Sequence, residues 1–317
     1  MKLSSLLPLI GVLIFLYLLR GIDIGKVAVN LARVNPYLFL ASLALIFITI
    51  VLKALRWKKI IASYGIDFPL GRCTKVWMIG FSISLITPGK IGDFAKSYYL
   101  KGKEGIGKSL TTVMVERIID VVIIFILAIL GLAAFTAIYV GGGFLLSAVS
   151  IIFLLFIAGI MAFSRKSLSY RLLSPFYRRF APVKYKERVK LIYHDFYSGV
   201  DIIMSNKRSL AVPIIITLIA WFASVFQAFV LAAGMGLQIP YSFLLMVLPI
   251  VILLLVLPVS VSGIGTREAA LVFFLSFIGI QAEAAISFSL MQLLIEYIGA
   301  APGFYLWHRN PIKLRPI

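Results

Sequence analysis

From Ser209 to Thr266 the chain carries no Asp, Glu, Lys or Arg. No soluble domain tolerates such a stretch at a water-facing surface, so this segment must lie in lipid or inside a helix bundle. Glycine-rich breaks interrupt the apolar sequence at two places. One is Thr87-Pro88-Gly89-Lys90-Ile91-Gly92-Asp93 and the other is Pro258-Val259-Ser260-Val261-Ser262-Gly263-Ile264-Gly265-Thr266-Arg267-Glu268. Broken helices at matching places in two halves of a membrane protein point to a transport site.

Uncharged runs cover Leu3 to Leu19, Pro36 to Leu52, Val121 to Val140, Gly143 to Ser164 and Ser209 to Ala233. A further run from Glu283 to Trp307 is broken only by Glu296. Each is close to the roughly 20 residues a helix needs to cross hydrocarbon. Val76 to Thr87 with Ile91 to Leu100, and Tyr241 to Leu257 with Thr266 to Gly279, are shorter pairs that read as re-entrant hairpins. The predicted class is therefore an all-α integral membrane protein with six full spans and two re-entrant broken-helix hairpins. A composition of 62% hydrophobic and 14% charged residues over 317 positions agrees.

The formal charge of +19 sits between apolar runs rather than in a soluble basic domain, which argues against nucleic acid as a partner. Residues 53 to 75 carry six basic and one acidic residue, and residues 164 to 208 carry eleven and three. Both segments are expected on the cytoplasmic side, whereas Tyr139 to Gly143 and Gly234 to Tyr241 carry no charge and fall outside. Both termini are then cytoplasmic. Each half reads as span, span, hairpin, span in opposite orientation, giving an inverted repeat of residues 1–140 and 141–317 in the plasma membrane, with a basic cytoplasmic loop at 164–208. Lys2 ahead of the first apolar run resembles a signal peptide, but no prompt cleavage site follows, so a retained span is expected. Two connectors have amphipathic helical spacing, one through Ile24, Val27, Leu31 and Val34, the other through Val189, Ile192, Phe196, Val200 and Ile203. The second, near Lys184, Lys186, Arg188 and Lys190, suits the cytoplasmic leaflet or a solvated loop helix.

A charge inside a membrane helix costs about 2.5 to 3.5 kcal/mol on insertion scales, so each needs a partner or a task. Glu116, Arg117 and Asp120 precede one span, and Glu296 sits inside the last. Counting from each hairpin, Glu296 takes the place of Glu116. Pro88 removes a helical donor, and Gly89, Gly92, Gly263 and Gly265 permit conformations and approaches closed to other residues. Half-helices starting near Ile91 and Thr266 aim amides inward, where Lys90, Lys96 and Arg267 add cations and Asp93 and Glu268 act as caps or counter-ions. A phosphate-bearing ligand fits this set, Ser262 included; mutual pairing across the interface is the plainer role. Arg56-Trp57 is read as an interfacial anchor, with headgroup contact as the sharper alternative. Gly299 to Gly303 has the small-xxx-small spacing of close helix packing.

Gly102 to Ser109 satisfies the phosphate-loop pattern, yet it joins a hairpin to a span and lacks the strand context that nucleotide binding needs. It is read as a basic cytoplasmic turn. Cys73 is the single cysteine, His194 and His308 are the two histidines, and no metal-ligand spacing appears. No cofactor, metal or catalytic residue is expected.

Taken together, Arg56-Trp57, the Pro88 to Lys96 segment, Glu116-Arg117 with Asp120, Ser262-Gly263-Ile264-Gly265 leading to Glu268, and Glu296 resemble the flippase region of lysylphosphatidylglycerol synthases, the multiple peptide resistance factor family. The resemblance covers essentially the whole chain and implies a helical membrane domain that moves a modified phospholipid between leaflets. No aminoacyltransferase domain follows residue 317 here, so the expectation is a standalone flippase-like protein rather than an enzyme. Its expected partners are membrane lipids with an anionic or phosphate-bearing headgroup; a homo-oligomer and a separate lipid-modifying enzyme are compatible. A secondary transporter of a small anion, or a transferase or accessory subunit acting on polyprenyl-linked sugars, is the alternative.

Overall fold

The structure is a computed structural model that describes residues 7–100, 106–141, 144–166, 171, 186–256 and 260–311. The described chain is helical. Helix α1 spans Leu7–Leu19, α2 Ile24–Ala32, α3 Pro36–Ala62 and α4 Leu70–Leu85. A 3₁₀ segment, Pro88–Phe94, leads into the short α5, Ala95–Leu100. Then follow α6 (Ile106–Phe135), extended by a π turn over Thr136–Val140, α7 (Phe144–Ser164) and α8 (Lys186–Ser205). The last four are α9 (Ala211–Gly234), α10 (Tyr241–Val256), α11 (Thr266–Ser276) and α12 (Ala282–Arg309).

Among the described residues four helical stretches are long and apolar enough to cross a membrane: Pro36–Ala62, Ile106–Val140, Lys207–Gly234 and Ala282–Arg309. They coincide with four of the six expected spans; the other two correspond to α1 and α7. Large apolar side chains such as Leu40 and Ile48 on α3, Ile151 and Leu155 on α7, and Ile215 and Ile219 on α9 are exposed on the outside of the bundle. Such a surface is solvated by lipid, and the chain is a multi-pass membrane protein.

Two span boundaries differ from those read in the sequence. Helix α3 continues past Leu52 to Ala62, and the span expected from Val121 begins at Ile106. Arg56, placed beyond the end of the one, is buried and paired with Glu116 and Asp120, placed ahead of the other, so both helices continue through these charges. The broken hairpins do form. In the first, the arm expected from Ile91 begins as 3₁₀ helix over residues 91–94 and is α-helical only over Ala95–Leu100. In the second, Pro258 and Val259 lie outside the described residues, as do Gly102 to Gly105 of the glycine-rich turn.

The helices pack in reciprocal fashion. Helix α3 lies against α9, α6 against α10, α12 against α4, α2 against α12 and α8 against α6. Ser42 donates to the Gln227 carbonyl at 3.1 Å and accepts from Gln227 Nε2 at 2.6 Å, which stitches α3 to α9. Asn35 caps α3 through Tyr37 and Leu38, and its own amide donates to the Gly234 carbonyl, so α3 starts where α9 ends. At the opposite end Tyr99 donates to the Asn310 carbonyl. Both expected amphipathic segments are helices seated on the bundle: Val27 of α2 is buried, as are Tyr197 and Ile203 of α8.

Two glycines set the matched crossings. A Cβ at Gly131 of α6 would overlap the Met246 carbonyl of α10, and one at Gly303 of α12 would overlap the Met78 carbonyl of α4. Beside the second crossing Ser82 donates to the Ala300 carbonyl at 2.7 Å. The small-xxx-small run thus serves close packing, as its spacing suggested. Gly303→Val is expected to destabilise by about 1–3 kcal/mol or more, because backbone cannot give way as a side chain does. Gly299→Ala, whose methyl meets only the Ile46 side chain, is expected to be tolerated. Fluorescence-detected gel filtration after heating separates the two; equal midpoints would refute the assignment.

Candidate functional site

Two polar clusters flank one cavity. The first is a buried network that ties α3, the first hairpin and α6 together. Arg56 of α3 pairs with Glu116 at 2.5 Å and with Asp120, and also donates to Thr217 of α9 at 3.2 Å. Lys96 pairs with Asp93 at 2.9 Å and with Glu116 at 2.5 Å, while Arg117 pairs with Asp93. Trp77 Nε1 donates to Glu116 at 3.0 Å. Arg56, Asp93, Lys96 and Glu116 are each at most 1% exposed. Ions so far from water are tolerated only when compensated, and three cations here face three carboxylates. The network is neutral. Arg56 is therefore no interfacial anchor, because it sits inside a continuing helix with its charge fully engaged.

The second cluster belongs to the other break. Arg267 pairs with Glu296 at 2.9 Å and donates to the Ser262 carbonyl at 3.2 Å. Glu268 reaches back to the Gly265 amide at 2.5 Å, satisfying a donor at the start of α11, and accepts from Ser289 Oγ at 2.6 Å. Thr266 donates to the Gly263 carbonyl and exchanges a hydrogen bond with Ser260. Ser262 Oγ donates to the Leu85 carbonyl and lies 3.1 Å from the Tyr297 hydroxyl, so the second break touches the end of α4.

Among the described residues the only non-glycine positions with positive φ are Lys90 (56°) and Ser262 (54°), one in each break. Neighbouring Gly89 (61°) and Gly263 (78°) share that region. Left-handed backbone costs a side-chain-bearing residue about 1–2 kcal/mol, so two such residues at matching turns mark places where the chain is forced to bend. Pro88 opens the 3₁₀ segment, and the Thr87 hydroxyl accepts from the Gly92 amide at 2.8 Å.

Between the clusters lies a cavity of about 200 Å³. Its charged lining consists of Lys53, Lys90, Arg117, Asp120, Arg267 and Glu296. Leu248, Val251, Ile252, Leu255 and Val256 of α10 form an apolar wall, and Gln227 and Gln292 add neutral polar groups. Both hairpins and both long spans that follow them contribute.

The amino-acid sequence matches the family model described as the lysylphosphatidylglycerol synthase TM region over residues 5–303. The chain belongs to this family. It is similar to the UPF0104 membrane protein MJ1595 of Methanocaldococcus jannaschii, 25% identical, with 93% of this chain and 91% of that protein covered. It also resembles the UPF0104 membrane protein PH1989 of Pyrococcus horikoshii, 23% identical over 92% of each chain. A UPF0104 membrane protein of Methanothermobacter thermautotrophicus is 20% identical over 93% of this chain and 91% of its own.

In this member of the family, the charged residues singled out as candidates for the site divide into two groups. Arg117, Asp120, Arg267, Glu296 and Lys90 line the cavity. Arg56, Asp93, Lys96, Glu116 and Glu268 lie behind its wall, and together with Gly92, Gly265 and Thr266 they hold the hairpins in place. The matching of Glu296 to Glu116 shifts as well. Glu116 stands about four helical turns before its crossing glycine, Gly131, whereas Glu296 stands about two turns before Gly303. The residue about four turns before Gly303 is Ser289, which bonds Glu268 much as Glu116 bonds Lys96.

Lys53 was missed altogether. It was counted with the basic connector because the apolar run stops at Leu52, yet α3 continues and carries Lys53 into the cavity. The buried residues Ala54, Trp57, Ile60 and Ile61 continue the helical period through that point, and they are the signal that reveals it.

Proposed function

We propose that the chain is a lipid flippase of the plasma membrane, and not an enzyme. It passes the polar headgroup of a phosphate-bearing lipid between leaflets through the cavity between the two broken hairpins. The observation that carries this reading is the two-faced cavity, with charged groups from both breaks opposite an apolar wall from α10. A site for a small soluble ion has no use for an apolar wall, whereas a headgroup with its glycerol and first methylenes meets both surfaces. Reciprocal packing of α6 with α10 and of α12 with α4 supports two inverted repeats meeting at this site. The basic residues Lys58, Lys59, Arg72 and Lys75 around the α3–α4 connection and the segment 164–208 then face the cytoplasm, as do both termini.

The test is reconstitution of the purified chain in vesicles holding trace fluorescent anionic phospholipid, with dithionite quenching to follow redistribution. The proteoliposomes are expected to redistribute the lipid faster than empty vesicles and to take up no radiolabelled inorganic phosphate. Phosphate uptake without lipid movement would replace the flippase reading with that of a soluble-anion transporter.

A further inference from the structure

We infer that the headgroup this cavity accepts carries two negative charges, as a phosphomonoester or a diphosphate does. A singly charged phosphodiester or a zwitterion does not match it. The inference rests on the flippase reading above and specifies its substrate class.

It comes from the disposition of charge around the cavity. Of the six charged residues that line it, Arg267 and Glu296 neutralise each other. Arg117 and Asp120 belong to the buried network, in which three cations and three carboxylates balance. Lys53 and Lys90 remain. Among the described residues neither makes an ion pair, so the lining itself carries two positive charges more than its own carboxylates balance.

Neither lysine is there by default. The Lys53 ammonium sits 5.9 Å from the centre of the Trp77 ring, and Trp77 is fixed by its bond to Glu116, so the network itself positions this cation. Lys90 adopts a left-handed backbone that glycine would occupy without strain, and it lies beside Gly89, which does so. A lysine at such a position bears backbone strain that glycine would avoid, and in this chain its side chain reaches the cavity. A cation in a low-dielectric cavity is costly unless an anion joins it, and two such cations favour a ligand that brings both charges at once. A phosphomonoester carries about −1.5 to −2 at neutral pH, with three acceptor oxygens, while a phosphodiester brings one charge. Gln292, also on the wall, adds neutral amide donors for the remaining oxygens.

The test uses the full chain in detergent at pH 8 and fixed ionic strength, with thermal stabilisation as the readout. The probes are dihexanoyl phosphatidic acid, dihexanoyl phosphatidylglycerol and inorganic phosphate. The phosphatidic acid is expected to half-saturate at a concentration at least about tenfold lower than the phosphatidylglycerol. Lys53→Gln and Lys90→Gln should each reduce that ratio and the double variant should erase it, with ligand-free midpoints at or above wild type, because each substitution removes an unpaired cation and breaks no ion pair. Equal affinity for the two lipids, or a ratio that survives in the double variant, overturns the inference. Inorganic phosphate binding as tightly as the phosphatidic acid would assign the site to a free anion and overturn the lipid source. The same lipids in fluorescent form in vesicles separate the two levels. A binding preference without redistribution defeats the flippase reading and leaves the charge count standing; equal redistribution of both lipids does the reverse.

Discussion

Glu116→Gln is expected to lower the thermal midpoint by on the order of 10 °C, from a loss of about 3–5 kcal/mol. The carboxylate accepts from Arg56, Lys96 and Trp77 while only 1% exposed, so its neutralisation leaves three cations, two of them fully buried, facing two carboxylates. Breaking one partner out of a buried ionic set costs far more than the set gains over an apolar replacement, because the orphaned charge has no water to turn to. The double variant Glu116→Gln with Lys96→Met restores the balance of charge and is expected to recover most of the midpoint. Detergent-solubilised protein followed by tryptophan fluorescence would report both, since Trp57 and Trp77 flank Lys96. An unchanged midpoint in the single variant would mean that the network does not hold the hairpin. A double variant no better than the single would mean that charge balance is not the reason.

Arg267→Ala is expected to slow lipid redistribution at least tenfold, a loss of about 1.4 kcal/mol or more in the translocation barrier, with the midpoint little changed. Unlike Arg56, this guanidinium faces the cavity, and its partner Glu296 is 32% exposed. On the proposed flippase reading the substitution removes a headgroup contact, and it also leaves Glu296 as an uncompensated anion that repels phosphate. The variant Arg267→Ala with Glu296→Ala distinguishes the two effects. If Arg267 acts only by neutralising Glu296, the double variant recovers the rate. If it contacts the headgroup, the double variant stays slow. Arg267→Lys is expected to be intermediate, because an ammonium lacks the planar fork that serves Glu296 and the Ser262 carbonyl together. Wild-type rates in Arg267→Ala vesicles would remove this residue from the path.

The sequence located both breaks because glycine, proline and interrupted hydropathy are local signals. What it misplaced were groups whose environment is made by distant segments. Arg56 looked interfacial because a lone arginine beside a tryptophan belongs at a membrane boundary, and only the approach of Glu116 and Asp120 from α6 makes it an interior residue. The start of α6 was set too late for the same reason, since charges read singly hide a helix whose charges are paired. Glu268 and Ser289 form a bond between two unremarkable polar residues twenty-one positions apart, which no spacing rule announces. Lys53 was hidden by a boundary drawn at Leu52, well short of the helix end at Ala62.

The crossing at Gly303 has a consequence for the order of events in biosynthesis. Helix α12 is the last helix in the described chain, yet it is the element that covers the Met78 and Ser82 face of α4, near the beginning. Helix α6 in turn waits for α10 to fill its Gly131 groove. The face of α4 that α12 covers therefore stays bare until α12 has been made, and no early fragment can close its own interior as domains made in sequence usually do. Completion of the bundle is tied to the final helix, so a chain shortened before Gly303 should remain an open assembly however well its earlier helices have formed.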